Sequence, residues 1–306
     1  MRIGLVHVDG KLPNLALMKL SAWYKAKGDE VTLLKPADVL KGQNLFYQPD
    51  KIYAAVIFDK DVSKETRHNA VLVRRLAAMG VEVGGTGWDL AKRLPDEVEH
   101  MKPDYDLYGI DYGIGYLSRG CIRQCGPCVV WRKEGYVHHV AWPEELVNPR
   151  SKLIVVLDGI FNASPYWQGK AQWFIDNDYT IDLTQGMDIR SVDDQAAKLI
   201  CAMKHRNKIH FAFDHINDEP AVRRGLKILI KAGMRPDALT FYILTNYNST
   251  FEQDMKRINI IEEYGANPYV MIYKKDTAPR RIRHLQRWCN SRPPIRKVCR
   301  FEDYKG

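Results

Sequence analysis

Five short strand-like segments recur along the second half of the chain at nearly constant spacing: residues 153–157, 180–183, 209–213, 239–244 and 269–272. Successive segments begin about 27 to 30 residues apart. Each gap holds one stretch with apolar residues at helical period: 164–177, 191–205, 218–232 and 249–264. A parallel strand cannot be joined to its neighbour by a tight turn, so each needs a crossover of a dozen or more residues, usually a helix. The rhythm is therefore that of a β/α repeat. A further short segment, 115–118, stands ahead of the five and makes six units. Eight are needed to close a barrel, so the reading is an open, partial (β/α)6 TIM-type barrel. In such folds the reactive site lies at the C-terminal ends of the strands.

The first hundred residues have their own pattern. Strands are expected at 2–8, 30–34, 52–58 and 81–83, with helices at 14–27 and from a cap at Ser63 to Met79. Near-continuous apolar strands alternating with helices indicate a parallel sheet covered on both faces. The fold class is α/β: a small Rossmann-like domain over 1–98, the partial barrel over 105–276, and a basic C-terminal tail over 277–306. No G-x-G-x-x-G follows the first strand, so dinucleotide binding is not indicated.

Directly after the 115–118 segment comes Gly120-Cys121-Ile122-Arg123-Gln124-Cys125-Gly126-Pro127-Cys128. Half of the six cysteines fall in this one loop, in C-x3-C-x2-C spacing. Crowded thiolates repel one another unless a cation lies between them, and thiolates favour zinc, copper(I) or iron–sulfur centres. A structural zinc site normally has four protein ligands, whereas a catalytic metal keeps one position open. Three cysteines match the second case. Six cysteines in a chain of this length do not make a disulfide framework; clustered, they indicate metal binding in a reducing cytoplasm. Cys201 reads as a small core residue. Cys289 and Cys299, ten apart, have no tight cysteine pair to complete a second centre.

A C-x3-C-x2-C loop after the first strand of a six-unit β/α repeat resembles the radical S-adenosylmethionine superfamily. The resemblance spans residues of about 105–280. It implies a [4Fe-4S] cluster on Cys121, Cys125 and Cys128, whose fourth iron takes the amino and carboxylate groups of S-adenosyl-L-methionine. Reductive cleavage then gives a 5′-deoxyadenosyl radical that abstracts hydrogen from a substrate. It also implies an external electron donor such as a flavodoxin or ferredoxin. Two departures stand out. Pro127 occupies the place where the family has an aromatic residue. The N-terminal domain is similar to a cobalamin-binding domain but lacks its D-x-H-x-x-G stretch; His7 and Asp9 are in the wrong order. This domain is read as one without cobalamin, used for packing or substrate docking.

Polar groups at the strand ends are the remaining site candidates. Asp158 and Asn162 follow the second strand, and the resemblance assigns them to the methionine amino group; an Asx pair stabilising the turn is the alternative. Ser164 and Pro165 read as the cap and first position of the next helix. Gln185, Asp188 and Arg190 follow the third strand, and a guanidinium there suits a bidentate carboxylate, either the methionine's or the substrate's. An internal Asp188–Arg190 pair is the alternative. Asp214 and His215 end the fourth strand. Asp214 is a candidate for a ribose hydroxyl or the substrate and His215 for a proton donor, unless Asp214 belongs to the entry turn of the helix that follows. Tyr247 and Tyr273 are weaker candidates for an adenine or substrate pocket. His138 and His139 read as exposed. The run Trp131–Gly135 is either a screen for the cluster's charge or a solvated turn.

Charge is uneven. Residues 274–306 carry eleven Lys or Arg against Asp276, Glu302 and Asp303, a balance of +8 within a total of +9. That is the footprint of a nucleic acid or another polyanion, or else a solvated tail. The leading substrate is accordingly a nucleic acid or nucleotide, with a peptide or small metabolite as the rival. A non-catalytic protein stabilised by zinc is the rival of another class. No run of eighteen apolar residues exists, so no membrane span is expected.

Overall fold

The computed structural model describes residues 1–42, 48–58 and 64–306. The chain is mixed α/β, with parallel sheets and ten α-helices among the described residues. Its contacts divide it into two compact units.

The first unit comprises Met1–Gly115, Gly126–Gly135 and Glu144–Lys152. Strands β1 (Arg2–His7), β2 (Glu30–Leu34), β3 (Lys51–Ala55) and β4 (Glu82–Gly84) form a parallel sheet in the order β2-β1-β3-β4. Helices α1 (Leu15–Ala26), α2 (Pro36–Lys41) and α3 (Lys64–Ala78) are its crossovers. The sheet is apolar on both faces. Leu5, Leu17, Leu20 and Tyr24 form one core, and Val6, Val56, Val73 and Leu76 the other. Asn14 caps α1 by accepting from the Leu17 amide at 3.1 Å, a contact worth about 1 kcal/mol. The expected cap at Ser63 lies outside the described residues. The third strand stops at Ala55 rather than continuing to 58, because the Asp9 carboxylate takes the amides of Ile57 (2.7 Å) and Phe58 (3.1 Å). Short helices α4 (Asp96–Glu99) and α5 (Val130–Glu134) and the strand β5 (Gly113–Gly115) complete the unit. The Trp131–Gly135 run is thus helical over most of its length, not a turn.

The second unit comprises Tyr116–Cys125, Tyr136–Pro143 and Leu153–Gly306. β6 (Ser118–Arg119) pairs antiparallel with β7 (His138–His139). The His pair is therefore a strand, with His139 only partly exposed. β8 (Leu153–Val156), β9 (Thr180–Leu183) and β10 (Lys204–His205) are parallel in that order, as are β11 (Ile209–Ala212), β12 (Leu239–Thr245) and β13 (Asn267–Ile272). A parallel bridge from Met187 to Phe211 joins the two sets. Gly186 makes this possible: its φ is +106°, and a Cβ there would stand 2.3 Å from the His210 carbonyl oxygen. Helices α6 (Trp167–Asp176), α7 (Asp194–Ala202), α8 (Glu219–Lys231) and α9 (Phe251–Glu263) fill the gaps between the strands.

Four sequence expectations need correction here. The 115–118 strand is broken at Leu117, whose amide bonds to the Asp158 carboxylate rather than to a neighbouring strand, while its carbonyl accepts from Lys170 and from the amides of Val140 and Ala141. Ser164 and Pro165 do not start α6. Tyr166 does, at φ +61°, and Ser164 closes the preceding short turn. The 191–205 helix runs only over α7, since Asp193 caps it late and Lys204–His205 leaves to pair with β9. The C-terminal segment is not a loose tail. It forms α10 (Arg280–Asn290), which buries Ile282, Leu285, Trp288 and Cys289. Asn290 accepts from the Val270 amide at 2.9 Å and returns a bond to the Val270 carbonyl, which Gln286 also reaches. α10 thereby satisfies the outer edge of β13, which would otherwise present unpaired backbone groups.

Candidate active site

The site is best built from what holds the cysteine loop. Asp158, two residues past β8, is almost fully buried. Its Oδ1 accepts from the Leu117 amide at 2.7 Å and its Oδ2 from the Ser118 hydroxyl at 2.5 Å. Lys170 on α6 is also inaccessible to solvent and donates to the Leu117 carbonyl at 2.7 Å. Burial pushes the Asp158 carboxyl up, against the pull of Ser118 and Leu117, and pulls the Lys170 amine down. These two groups grip the backbone immediately before Gly120 and Cys121. Asp158, expected at the methionine amino group, is engaged with the protein itself.

A second grip lies inside the loop. Arg123, between Cys121 and Cys125, donates through Nε (3.0 Å) and Nη2 (2.8 Å) to Asp188 Oδ2. Asp188 follows β9 and is about 5% exposed. It also accepts from the Arg190 amide (3.0 Å), Nε (2.8 Å) and Nη2 (3.1 Å). Arg190 Nη1 reaches Asp218 at 3.3 Å. Burial alone raises the Asp188 carboxyl, but the Arg190 and Arg123 guanidiniums outweigh it and hold it below the usual carboxylate range. Asn162 fixes Asp188 from the other side. Its amide nitrogen donates to the Asp188 carbonyl at 2.9 Å, and its oxygen accepts from the Asp188 amide at 2.7 Å. The loops after β8 and β9 are thus laced together, with the cysteine loop tied to both. Gln185 stands exposed on the same loop.

Arg257 on α9 does comparable work at the neighbouring strand ends. It is fully buried and donates to the Phe213 carbonyl (2.6 Å), the Leu244 carbonyl (2.9 Å) and Asp254 (2.5 Å). Asp214 accepts from the Leu244 amide at 3.1 Å. His215 closes the turn over 216–218 by accepting from the Asn217 amide at 3.2 Å. Asn246 and Asn248 after β12 and Lys274 after β13 all have positive φ. Such conformations cost of order 1–3 kcal/mol each and tend to gather where a loop serves a ligand. Asn246 donates to the Tyr273 carbonyl at 2.9 Å, and Tyr247 packs edge-on against Tyr273.

One face of β11, β12 and β13 is covered by helices and buries Phe211, Phe241, Ile243 and Val270. The other face carries His210, Tyr242 and Tyr269, which are partly open to solvent. His210 and Tyr242 have ring centres 5.1 Å apart, and Tyr242 and Tyr269 5.6 Å. Burial holds the His210 imidazole below its usual range, and its Nδ1 is buried without a hydrogen-bond partner. Sequence reading missed this row, Arg123 and Lys170. The alternation of polar and apolar residues in 239–244 was the available signal for Tyr242.

The thiols suit a soft metal. None of the three is in a disulfide. The Arg123 amide donates to Cys121 Sγ at 3.2 Å and the Val130 amide to Cys128 Sγ at 3.4 Å. Such donors stabilise thiolate charge. Among the described residues, however, no three His, Cys, Asp or Glu side chains are gathered closely enough to hold a metal ion. The donor chemistry fits a thiolate-bound centre. Cys289 is different: burial pushes its thiol up to about 12, and its partner is the Pro268 carbonyl. His7 packs edge-on against Tyr108, and Asp9 holds the end of β3. No protein-family model matches the chain, and no curated protein matches it.

Proposed function

We propose that the chain is a radical S-adenosylmethionine enzyme, with a Rossmann-like N-terminal domain and a partial β/α barrel. The observation that carries this reading is the double fastening of the cysteine loop, to Asp158 and Lys170 at its base and through Arg123 to Asp188. A loop of three thiols anchored to the loops after β8 and β9 lies at the strand ends, where such folds keep their reactive groups. The Met187–Phe211 bridge supports a single curving sheet, and the half-open His210–Tyr242–Tyr269 face supports a concave interior.

In this reading Cys121, Cys125 and Cys128 hold a [4Fe-4S] cluster. When bound, the cluster supplies an electron for cleavage of S-adenosyl-L-methionine, replenished by a flavodoxin or ferredoxin. The protein's own residues have three tasks. Asp158, Lys170 and Ser118 fix where the loop leaves the sheet. Asp188, with Asn162, holds Arg123, and the paired guanidiniums of Arg123 and Arg190 put positive charge beside a centre that three thiolates make anionic. About a third of each of these arginine side chains stays accessible, and Arg190 is assigned to a carboxylate of the methionine or substrate. Asp214 and the exposed Gln185 are left for ribose or substrate, and His215 for proton donation.

The test is anaerobic reconstitution with iron and sulfide, then reduction in the presence of S-adenosyl-L-methionine. The reading expects about four irons and four sulfides per chain and release of 5′-deoxyadenosine. Stoichiometric zinc with no nucleoside released would instead mark a metal-stabilised binding protein.

A further inference from the structure

The C-terminal segment holds most of the chain's excess charge, and its fold determines which way that charge faces. Four side chains of α10 (Ile282, Leu285, Trp288 and Cys289) are buried. The opposite side carries Arg280, Arg283 and Arg287, all exposed. At offsets of three and four residues these guanidiniums line one side of the helix, over about 10 Å of its axis at 1.5 Å per residue. Lys274 and Lys275 stand exposed at the end of β13, just ahead of the helix. Arg292, Lys297 and Arg300 stand exposed beyond it. Within this segment Arg296 is bound to Glu262 at 2.6 Å, and Arg281 lies 3.6 Å above the Phe251 ring. The segment beyond α10 folds back as well: Phe301 packs on both Phe251 and Trp288. A rigid basic strip therefore runs from the end of β13 along α10.

We propose that this strip is the docking surface for a nucleic acid, held through its phosphodiester backbone. Charge complementarity selects a polyanion, and the spacing of the arginines suits a chain of regularly spaced phosphates rather than a single anion. Guanidiniums bind phosphate oxygens bidentately. A basic amphipathic helix is otherwise a membrane-surface element, which requires an apolar face free to enter the lipid. Here that face is buried against β13 and the folded-back terminus, and only Val298 among the large apolar residues from 277 onward is exposed. The strip begins at a strand end, so a nucleic acid lying on it is led toward the rim where the cysteine loop is fastened. That last step rests on the radical-enzyme reading; the binding itself does not.

Binding is therefore measured on the metal-free full chain. A fluorescent random-sequence RNA oligonucleotide is titrated by anisotropy across a salt series. The variant R280E/R283E/R287E is compared with K198E/K227E/K231E, which makes the same charge change on exposed positions of α7 and α8. The proposal expects wild-type affinity to fall steeply with salt. The α10 variant should lose at least about tenfold in affinity and about two units of log–log salt slope, since each phosphate contact on a single strand contributes about 0.7. The α7/α8 control should stay near wild type. Circular dichroism melts of both variants check folding. Equal losses in the two variants, salt-independent binding, or binding to phosphatidylserine vesicles without RNA binding would each overturn the proposal. Cluster loss or an inactive enzyme would leave the binding result standing, so the two readings fail separately.

Discussion

Asp188 is the residue on which the cysteine loop depends most visibly. Two guanidiniums and the Arg190 amide converge on one almost buried carboxyl group, while Asn162 holds the Asp188 backbone amide and carbonyl. Charged hydrogen bonds are worth roughly 1.5–3 kcal/mol each, discounted here because both arginines are about one-third exposed. Asp188→Asn should therefore cost about 2–3 kcal/mol in urea unfolding. The pH dependence follows from the depressed carboxyl. Its contribution is complete above the ordinary carboxylate value of about 4 and is lost as pH falls through the lower native value. The stability gap between wild type and Asp188→Asn should thus narrow below about pH 4. A gap that stays constant there would show that Asp188 is not held by charge. Asp158→Ala should be costlier, about 3–5 kcal/mol, because it leaves Lys170 buried without its counter-charge. At this scale the sequence displayed the participants but not their pairing. Asp188–Arg190 was open to reading as a local pair, whereas Arg123 lies 65 residues from Asp188, a distance across which composition says nothing. Asp158 and Asn162 looked like ligand contacts because strand-end position says where a side chain is, not what it faces.

Among elements, α10 and β13 show how the edge of a parallel sheet can end. A parallel sheet that stops short of closure exposes an edge, and here Asn290 and Gln286 supply the bonds a further strand would have made. Asn290→Ala removes two of them. It should cost about 1–3 kcal/mol and speed hydrogen exchange at the Val270 amide in particular, and unchanged exchange there would count against the edge-capping role. The strands themselves were legible from sequence, since β8 (Leu153–Val156) is an apolar run and β9, β11 and β12 largely alternate apolar with polar residues between turn residues. Helix starts were less so. Tyr166 enters α6 through a left-handed conformation that a tyrosine rarely adopts, so Ser164 and Pro165 gave the conventional signal in the wrong place. The role of α10 was not legible at all, because a run of arginines advertises solvent while the residues between them bury.

For the whole molecule, two chemistries lie on one framework: a loop of three thiols tied to the strand ends, and a basic helix that seals the sheet's edge. No helix among the described residues is long and apolar enough to cross a membrane. The proposed cluster on Cys121, Cys125 and Cys128 can be tested by its metal content and its spectrum. The most direct measurement is iron and sulfide content with electron paramagnetic resonance after anaerobic reconstitution, on wild type and Cys125→Ala. Cys125 is exposed, so its removal should leave thermal stability of the metal-free chain within about 0.5 kcal/mol. A cluster site should hold about four irons and four sulfides per wild-type chain, give a reduced-cluster signal that changes when S-adenosyl-L-methionine is added, and lose both in Cys125→Ala. Equal iron in the two proteins, or a wild-type chain that takes up zinc and no sulfide, would contradict it.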